Sequence, residues 1–366
     1  MPSNPGAWLT TVARNKALDR LRHEAQRAPR EQAAFRLLTE HADSTAPSTQ
    51  ELGDDRLRLL FTCCHPALST EAQVALALRT ICGLSTIEIA RVLLEPETTV
   101  GQRISRAKAK IARARIPYRV PSAHELPDRL RPVLATLYSV CTAGHNAPFG
   151  EATSRVDLAD EAIRVARHLV ELMPDESECV GLLALMLATH ARRNARIDAC
   201  GEVVLLADQD RSRWNSTAIG EAAALVESVL RRGRPGAYQI QAAVACLHGL
   251  ARTSADTDWP QIAELYGLLE VRWPTAVVRV NRAVAQAQVS GPQAGLDLLS
   301  TVNLESVERW HLYWATRADF HRRLDDFAAA AGDYQRALDC PCNDSDRRFL
   351  ERRLSEVQRL TRRLAQ

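Results

Sequence analysis

Between Ser85 and Lys110 the sequence sets out a run of hydrogen-bond donors: Ser85, Thr98, Thr99, Gln102, Arg103, Arg106, Lys108 and Lys110. Hydroxyl, amide, guanidinium and ammonium groups donate to phosphate oxygens and to base edges, and arginine can grip a guanine with two bonds. The chemistry on offer is recognition of a nucleic acid rather than bond making. From Arg103 to Arg119 there are seven basic residues (Arg103, Arg106, Lys108, Lys110, Arg113, Arg115, Arg119) and no acidic one. Such a run suits a phosphate backbone, but it also describes the solvated face of an ordinary helix. The elements that carry these residues decide between the two.

Val100, Ile104, Ala107 and Ile111 recur at steps of four, three and four, which gathers them into one apolar stripe on a helix and leaves the donors on the other side. Pro96 removes a backbone donor and disfavours helix at Glu95, so a preceding helix stops near Leu94 and the donor-bearing one begins at about Glu97. Ser69 with Ala72 and Gln73 reads as the start of an earlier helix, Gly83 as its end and Ser85 as the start of the next. Helix, tight turn and basic helix make a helix-turn-helix, in which the second helix can enter a DNA major groove while the first braces it.

The charge distribution agrees. Residues 1–119 hold 18 basic and 12 acidic side chains and the remainder 29 and 32, so the net charge of +3 divides into +6 and −3. Positive potential sits with the motif, and the mildly acidic remainder is unsuited to tracking a phosphate backbone. With 46% hydrophobic residues among 366, two or three domains with buried cores are expected. The longest apolar run, Cys179 to Ala188, is about half a membrane span. No secretion signal opens the sequence, so a cytoplasmic protein with reduced thiols is expected. Cys63, Cys64 and His65 are zinc-ligand types, but neighbours on a helix diverge and no second cluster accompanies them, so no metal, cofactor or catalytic residue is assigned. Gly-rich phosphate loops, GxSxG and HExxH are absent, which argues against an enzyme.

Almost every segment has helical periodicity, so the fold class is all-α. Residues 7–27 read as one basic helix, 40–54 as a flexible linker rich in Ser, Thr, Pro and Gly, and 55–116 as the helical unit containing the motif. Pro117 and Pro121 mark a boundary, and Pro127 and Pro132 punctuate the entry to a helical region that runs on to residue 366. There Trp314, Ala318, Ala330, Tyr334 and Ala337 fall at the packing positions of a tetratricopeptide (TPR) repeat, with Pro341 near its close. Ala283 and Ala294 precede Ala318 and Ala330 by 35 and 36 residues, a period that fits stacked helical hairpins. Arg211, Arg213 and Trp214 suit an acidic or planar group, or else an Arg–Asp network with Asp208 and Asp210 that pins a loop.

The stretch from Leu57 to Ile111, LRLLFTCCHPALSTEAQVALALRTICGLSTIEIARVLLEPETTVGQRISRAKAKI, resembles region 4 of a bacterial sigma-70-family factor of the extracytoplasmic-function (ECF) type, within the subgroup that carries a TPR-like C-terminal extension. LLALMLATHARRNAR, LLADQDRSRW and RRFLERRL resemble parts of that extension. The resemblance implies a sigma factor that directs RNA polymerase to promoters. It places Ser85, Thr98, Thr99, Gln102, Arg103, Arg106, Lys108 and Lys110 at the −35 element, with the C-terminal domain of residues 117–366 as regulator or protein-binding surface. NPGAWLTTVARNKALDRLR resembles the end of region 2, which reads the −10 element, with Trp8, Arg14, Lys16 and Arg20 at matching positions. On this reading residues 1–28 are a remnant of region 2 and 29–54 a linker. On the same resemblance, the helices that precede this segment in the family and clamp the β′ subunit are expected to be missing or to lie upstream of Met1. The expected partners are promoter DNA and the β and β′ subunits of core polymerase, with no membrane. The alternative is a helix-turn-helix regulator with a protein-binding TPR-like domain that does not dock core polymerase.

Overall fold

The computed structural model describes residues 57–93, 95–122, 125–145, 153–198, 202–233 and 235–364. The proposed region 2 remnant and linker, with Trp8, Arg14, Lys16 and Arg20, lie outside them. The first described helix, α1, spans 57–63, and α2 (Thr70–Thr80), α3 (Thr86–Leu93) and α4 (Glu97–Arg113) come next. The remaining helices are α5 (Leu126–His145), α6 (Thr153–Leu172), α7 (Ser177–His190), α8 (Ser216–Leu230), α9 (Ala237–Leu250), α10 (Trp259–Arg272), α11 (Ala276–Ser290), α12 (Pro292–Ser300), α13 (His311–Arg323), α14 (Phe327–Asp339) and α15 (Asp344–Leu364). Among the described residues the only β pairing is an isolated bridge between Ile197 and Val203, so the fold is all-α as expected.

Local signals explain the helix ends. The Ser69 hydroxyl accepts from the amide of Ala72 at the start of α2, Thr275 and Asp326 cap α11 and α14 in the same way, and Gly83 takes φ +68° between α2 and α3. Pro132 does not interrupt its helix. It lies inside α5, where the carbonyl it leaves without a helical partner belongs to the exposed Asp128.

From α5 onward, consecutive helices pack against one another, and α7 also packs on α9. Every residue from Cys179 to Ala188 is buried, whichever side of the helix it occupies, so α7 is the apolar centre of this region. One core joins the helix-turn-helix to the helices of the C-terminal region. Leu60, Phe61, Leu76, Ile89 and Val100 belong to the same buried cluster as Val133, Leu137, Leu169, Leu182 and Ala242. Across the boundary marked by Pro117, the buried Arg129 of α5 donates to the Phe61 carbonyl at 2.6 Å, and Thr62 Oγ1 donates to the carbonyl of Pro117 at 3.3 Å.

A second cluster forms around Trp314, Ala318, Ala330, Tyr334 and Ala337, all buried, together with Ala283. The sequence placed Ala294 in this set, and the structure corrects it by one residue. Gly295 makes the close approach, because a Cβ there would lie 2.6 Å from the Phe320 ring and 2.9 Å from the Ala287 methyl, whereas Ala294 is only half-buried. With Gly295 in place both pairs, Ala283–Ala318 and Gly295–Ala330, are 35 residues apart. Gly295→Ala is therefore expected to cost about 1–3 kcal/mol through overpacking. Urea denaturation would measure it, and Phe320→Leu in the same chain should recover part of the loss.

Candidate nucleic-acid interface

The recognition helix α4 is held by its apolar stripe. Val100, Ile104 and Ala107 are buried and Ile111 packs against the same core. At about 100° per residue, the opposite side of α4 presents Thr98, Gln102, Ser105, Arg106 and Arg113, with Thr99 and Lys110 on one edge. All seven are exposed, and none hydrogen-bonds another side chain among the described residues. A cleft of about 400 Å³ runs between this face and the start of α2, lined by Ser69, Ala72, Thr99, Gln102, Arg106 and Lys110 among others. A shallower hollow on the other flank is lined by Thr98, Gly101, Gln102, Ser105 and Arg106. Arg106 and Gln102 thus stand on the ridge between two concavities, where a base edge can be reached from either side.

The structure separates the remaining sequence candidates. Arg103 is turned into an internal clamp: its guanidinium makes two contacts with the Glu95 carboxylate, at 2.7 and 3.0 Å. This fork–fork pair joins the turn to the recognition helix and occupies the donors that a base contact would need. Ser85 is half-buried and forms a reciprocal capping box with Glu88, whose carboxylate accepts from the Ser85 amide at 2.6 Å while the Ser85 hydroxyl accepts from the Glu88 amide at 3.2 Å. Lys108 is exposed but lies about 160° around α4 from Lys110. It lies near Cys63 instead, where its charge helps to lower the thiol pKa.

Glu95→Gln should free Arg103 and loosen the turn at a cost of about 1–3 kcal/mol, because the pair is half-buried. A thermal scan monitored by far-UV circular dichroism would check this, and an unchanged midpoint would mean that the pair is spent in solvent.

Sequence reasoning passed over Ser105 and left Arg113 within a general basic run. Both were legible from Thr98, being seven and fifteen residues further along the same helical face. Ser69 was seen only as a cap, although it also lines the cleft. Glu71, in the first turn of α2, keeps its carboxyl below the usual range mainly through its own backbone amide at the helix start. Cys63 and Cys64 are buried core thiols. Burial pushes Cys63 up to about 11 and Cys64 higher still, so neither is a ready thiolate ligand.

The loop from Leu206 to Trp214 also departs from the expected Arg–Asp network. Asp210 caps its own turn through Ser212, at 2.9 Å to the amide and 2.6 Å to the hydroxyl. Arg211 donates instead to the carbonyls of His248 and Ala251, at 2.7 and 2.8 Å, and stacks on the Trp214 ring at 4.5 Å. Arg213 is exposed. Carbonyl acceptors carry no side-chain signature, which is why the sequence pointed to the nearer carboxylates.

Among the described residues, no helix is long and apolar enough to cross a membrane. Residues 58–111, which span α2, α3 and most of α1 and α4, match the sigma-70 region 4 family. Residues 129–230, from α5 to the end of α8, match a family of unknown function, DUF6596. An uncharacterized protein of Rhizobium meliloti (strain 1021) is 40% identical over 363 residues, covering 97% of this chain and 85% of its own length. Region 4 indicates a DNA-binding role in transcription. The chain therefore belongs to one family with the Rhizobium meliloti protein and carries the region 4 domain of a sigma-70-family transcription factor.

Proposed function

We propose that this chain is an ECF-type sigma factor that directs RNA polymerase to promoters, with α4 in the major groove of the −35 element. The observation that carries this reading is the exposed face of Thr98, Gln102, Ser105, Arg106 and Arg113, free of internal partners and backed by the buried Val100, Ile104 and Ala107. Thr99, Lys110 and the two concavities on either side of Arg106 extend the face toward the flanking phosphates. The protein works in the cytoplasm on promoter DNA, with the β and β′ subunits of core polymerase as partners.

The C-terminal helices act as a TPR-like domain that regulates region 4. Support comes from the 35-residue spacing of buried small residues and from the core that α1–α4 share with α5–α9. The test is reconstitution of the chain with core polymerase on a promoter fragment bearing a −35 element. Run-off transcripts that depend on the chain are expected. Sequence-specific DNA binding without transcripts would replace this reading with that of a helix-turn-helix regulator that does not dock polymerase.

A further inference from the structure

Between α5 and α7 the molecule holds a cavity of about 210 Å³ that the DNA-reading surface does not use. Its lining combines apolar groups, Tyr138, Cys141, Leu185 and Met186, with polar ones, Thr142, Thr189 and Arg196. Arg196 is half-buried and makes no ion pair or hydrogen bond through its side chain among the described residues. The next turn of chain supplies Arg192, equally half-buried and equally without a carboxylate, its guanidinium 5.8 Å from the Trp214 ring that Arg211 stacks on from 4.5 Å. In the neighbouring group, which does not itself line the cavity, Arg192 Nε, Arg211 Nη2 and Trp214 Nε1 are buried with no hydrogen-bond partner among the described residues. Orphaned buried donors are rare, and here they belong to the group whose charge acts on Arg196, the one guanidinium that lines the cavity.

The charge balance points the same way. Burial and the neighbouring Arg196 and Arg211 push Arg192 down to about 10, and burial with the charges of Arg192 and Arg211 pushes His248 down to about 4. The surrounding field is thus positive, with guanidiniums and no ion-paired carboxylate at its centre. Asp160 pairs with His190 at 3.0 Å, while Asp346 and Asp256 act on Arg196 and Arg211 only through space.

We propose that this cavity binds a small organic anion with an aromatic body, its carboxylate taken by Arg196 and its ring lying against Tyr138, Leu185 and Met186. An aromatic ring suits the apolar part of the lining, and a carboxylate matches the planar fork of a half-buried guanidinium. The site also sits beside region 4. Tyr138 and Cys141 line the cavity, while Leu137 and Val140 of the same helix α5 line the joint with Leu60, Ala77 and Ile81. A ligand that orders α5 therefore acts one helix away from α2. Binding here is independent of promoter recognition, and its test requires no DNA.

The probe is benzoate, with benzamide as its uncharged isostere, titrated into the full chain by ligand-observed NMR and by thermal denaturation. Benzoate is expected to bind saturably and raise the midpoint, and benzamide to bind at least about tenfold more weakly. Arg196→Gln should abolish that preference, while Arg196→Lys should keep part of it. Thr189→Phe, which fills the cavity without touching the charge, should block both probes. Far-UV circular dichroism establishes that each variant is folded. If Arg196→Gln does not fold, the benzoate–benzamide ratio in the parent chain and the Thr189→Phe block decide the matter. Absence of saturable benzoate binding up to about 10 mM, equal affinity for the two probes, or unaltered binding by folded Arg196→Gln would overturn the proposal.

Discussion

Asp333→Ala is expected to destabilise the hairpins of α13–α15 by about 3–5 kcal/mol, the range found when one partner of a buried ion pair is removed. Asp333 is 3% exposed and accepts two bonds from Arg317, at 2.6 and 2.5 Å, and a longer one of 3.3 Å from Arg336. Both guanidiniums also lie against the Trp314 ring, at 4.6 and 4.9 Å. Removing the carboxylate would leave Arg317, about three-quarters buried, with a charge that the Trp314 face alone cannot satisfy. Tryptophan fluorescence during urea unfolding would report the loss directly, since Trp314 lies within the cluster. Asp333→Asn should do less harm, because it keeps one acceptor. A loss below about 1 kcal/mol for Asp333→Ala would show that Arg317 finds water instead.

The second large effect is on DNA. Arg106→Ala should weaken binding to a −35 sequence by about 1–3 kcal/mol, a loss of roughly fivefold to 150-fold, and weaken non-specific binding much less. The reason is placement: Arg106 lines both concavities of the α4 face and has no internal partner, whereas Arg103 on the same helix is fixed to Glu95. Lys110→Ala should instead lower affinity for all sequences alike and reduce the salt slope by about one phosphate contact. Fluorescence anisotropy on specific and scrambled duplexes at several salt concentrations separates the two. If Arg106→Ala left the ratio of specific to scrambled affinity unchanged, α4 would not be reading bases through this residue.

The sequence was most legible where structure is local. The stripe of Val100, Ile104 and Ala107 and the break at Pro96 needed only the helical period and the missing amide of proline, and they fix which face of α4 is free. The Ser69 cap and the Gly83 stop were equally visible for the same reason. What could not be read depended on partners set by the fold. Nothing in the spacing of Glu95 and Arg103 marked them as a pair, because they lie on opposite sides of the turn and meet only once it closes. Gly295 was hidden because a small residue stands beside it at Ala294, and only the position of the Phe320 ring distinguishes them. The Arg192, Arg196 and Arg211 cluster gathers side chains from an interhelical loop and a short 3₁₀ turn, where no periodicity exists to predict which way they point.

The bond from Arg129 to the Phe61 carbonyl, and the buried residues around it, alter what kind of object the DNA-reading head is. A reader on a tether can be shuffled between proteins and still fold. Here the head has surrendered part of its own interior to the body behind it, so severing the chain near Pro117 would strip both pieces of a shared wall. Head and body should melt as one transition, and recombination in this lineage should exchange them together or not at all.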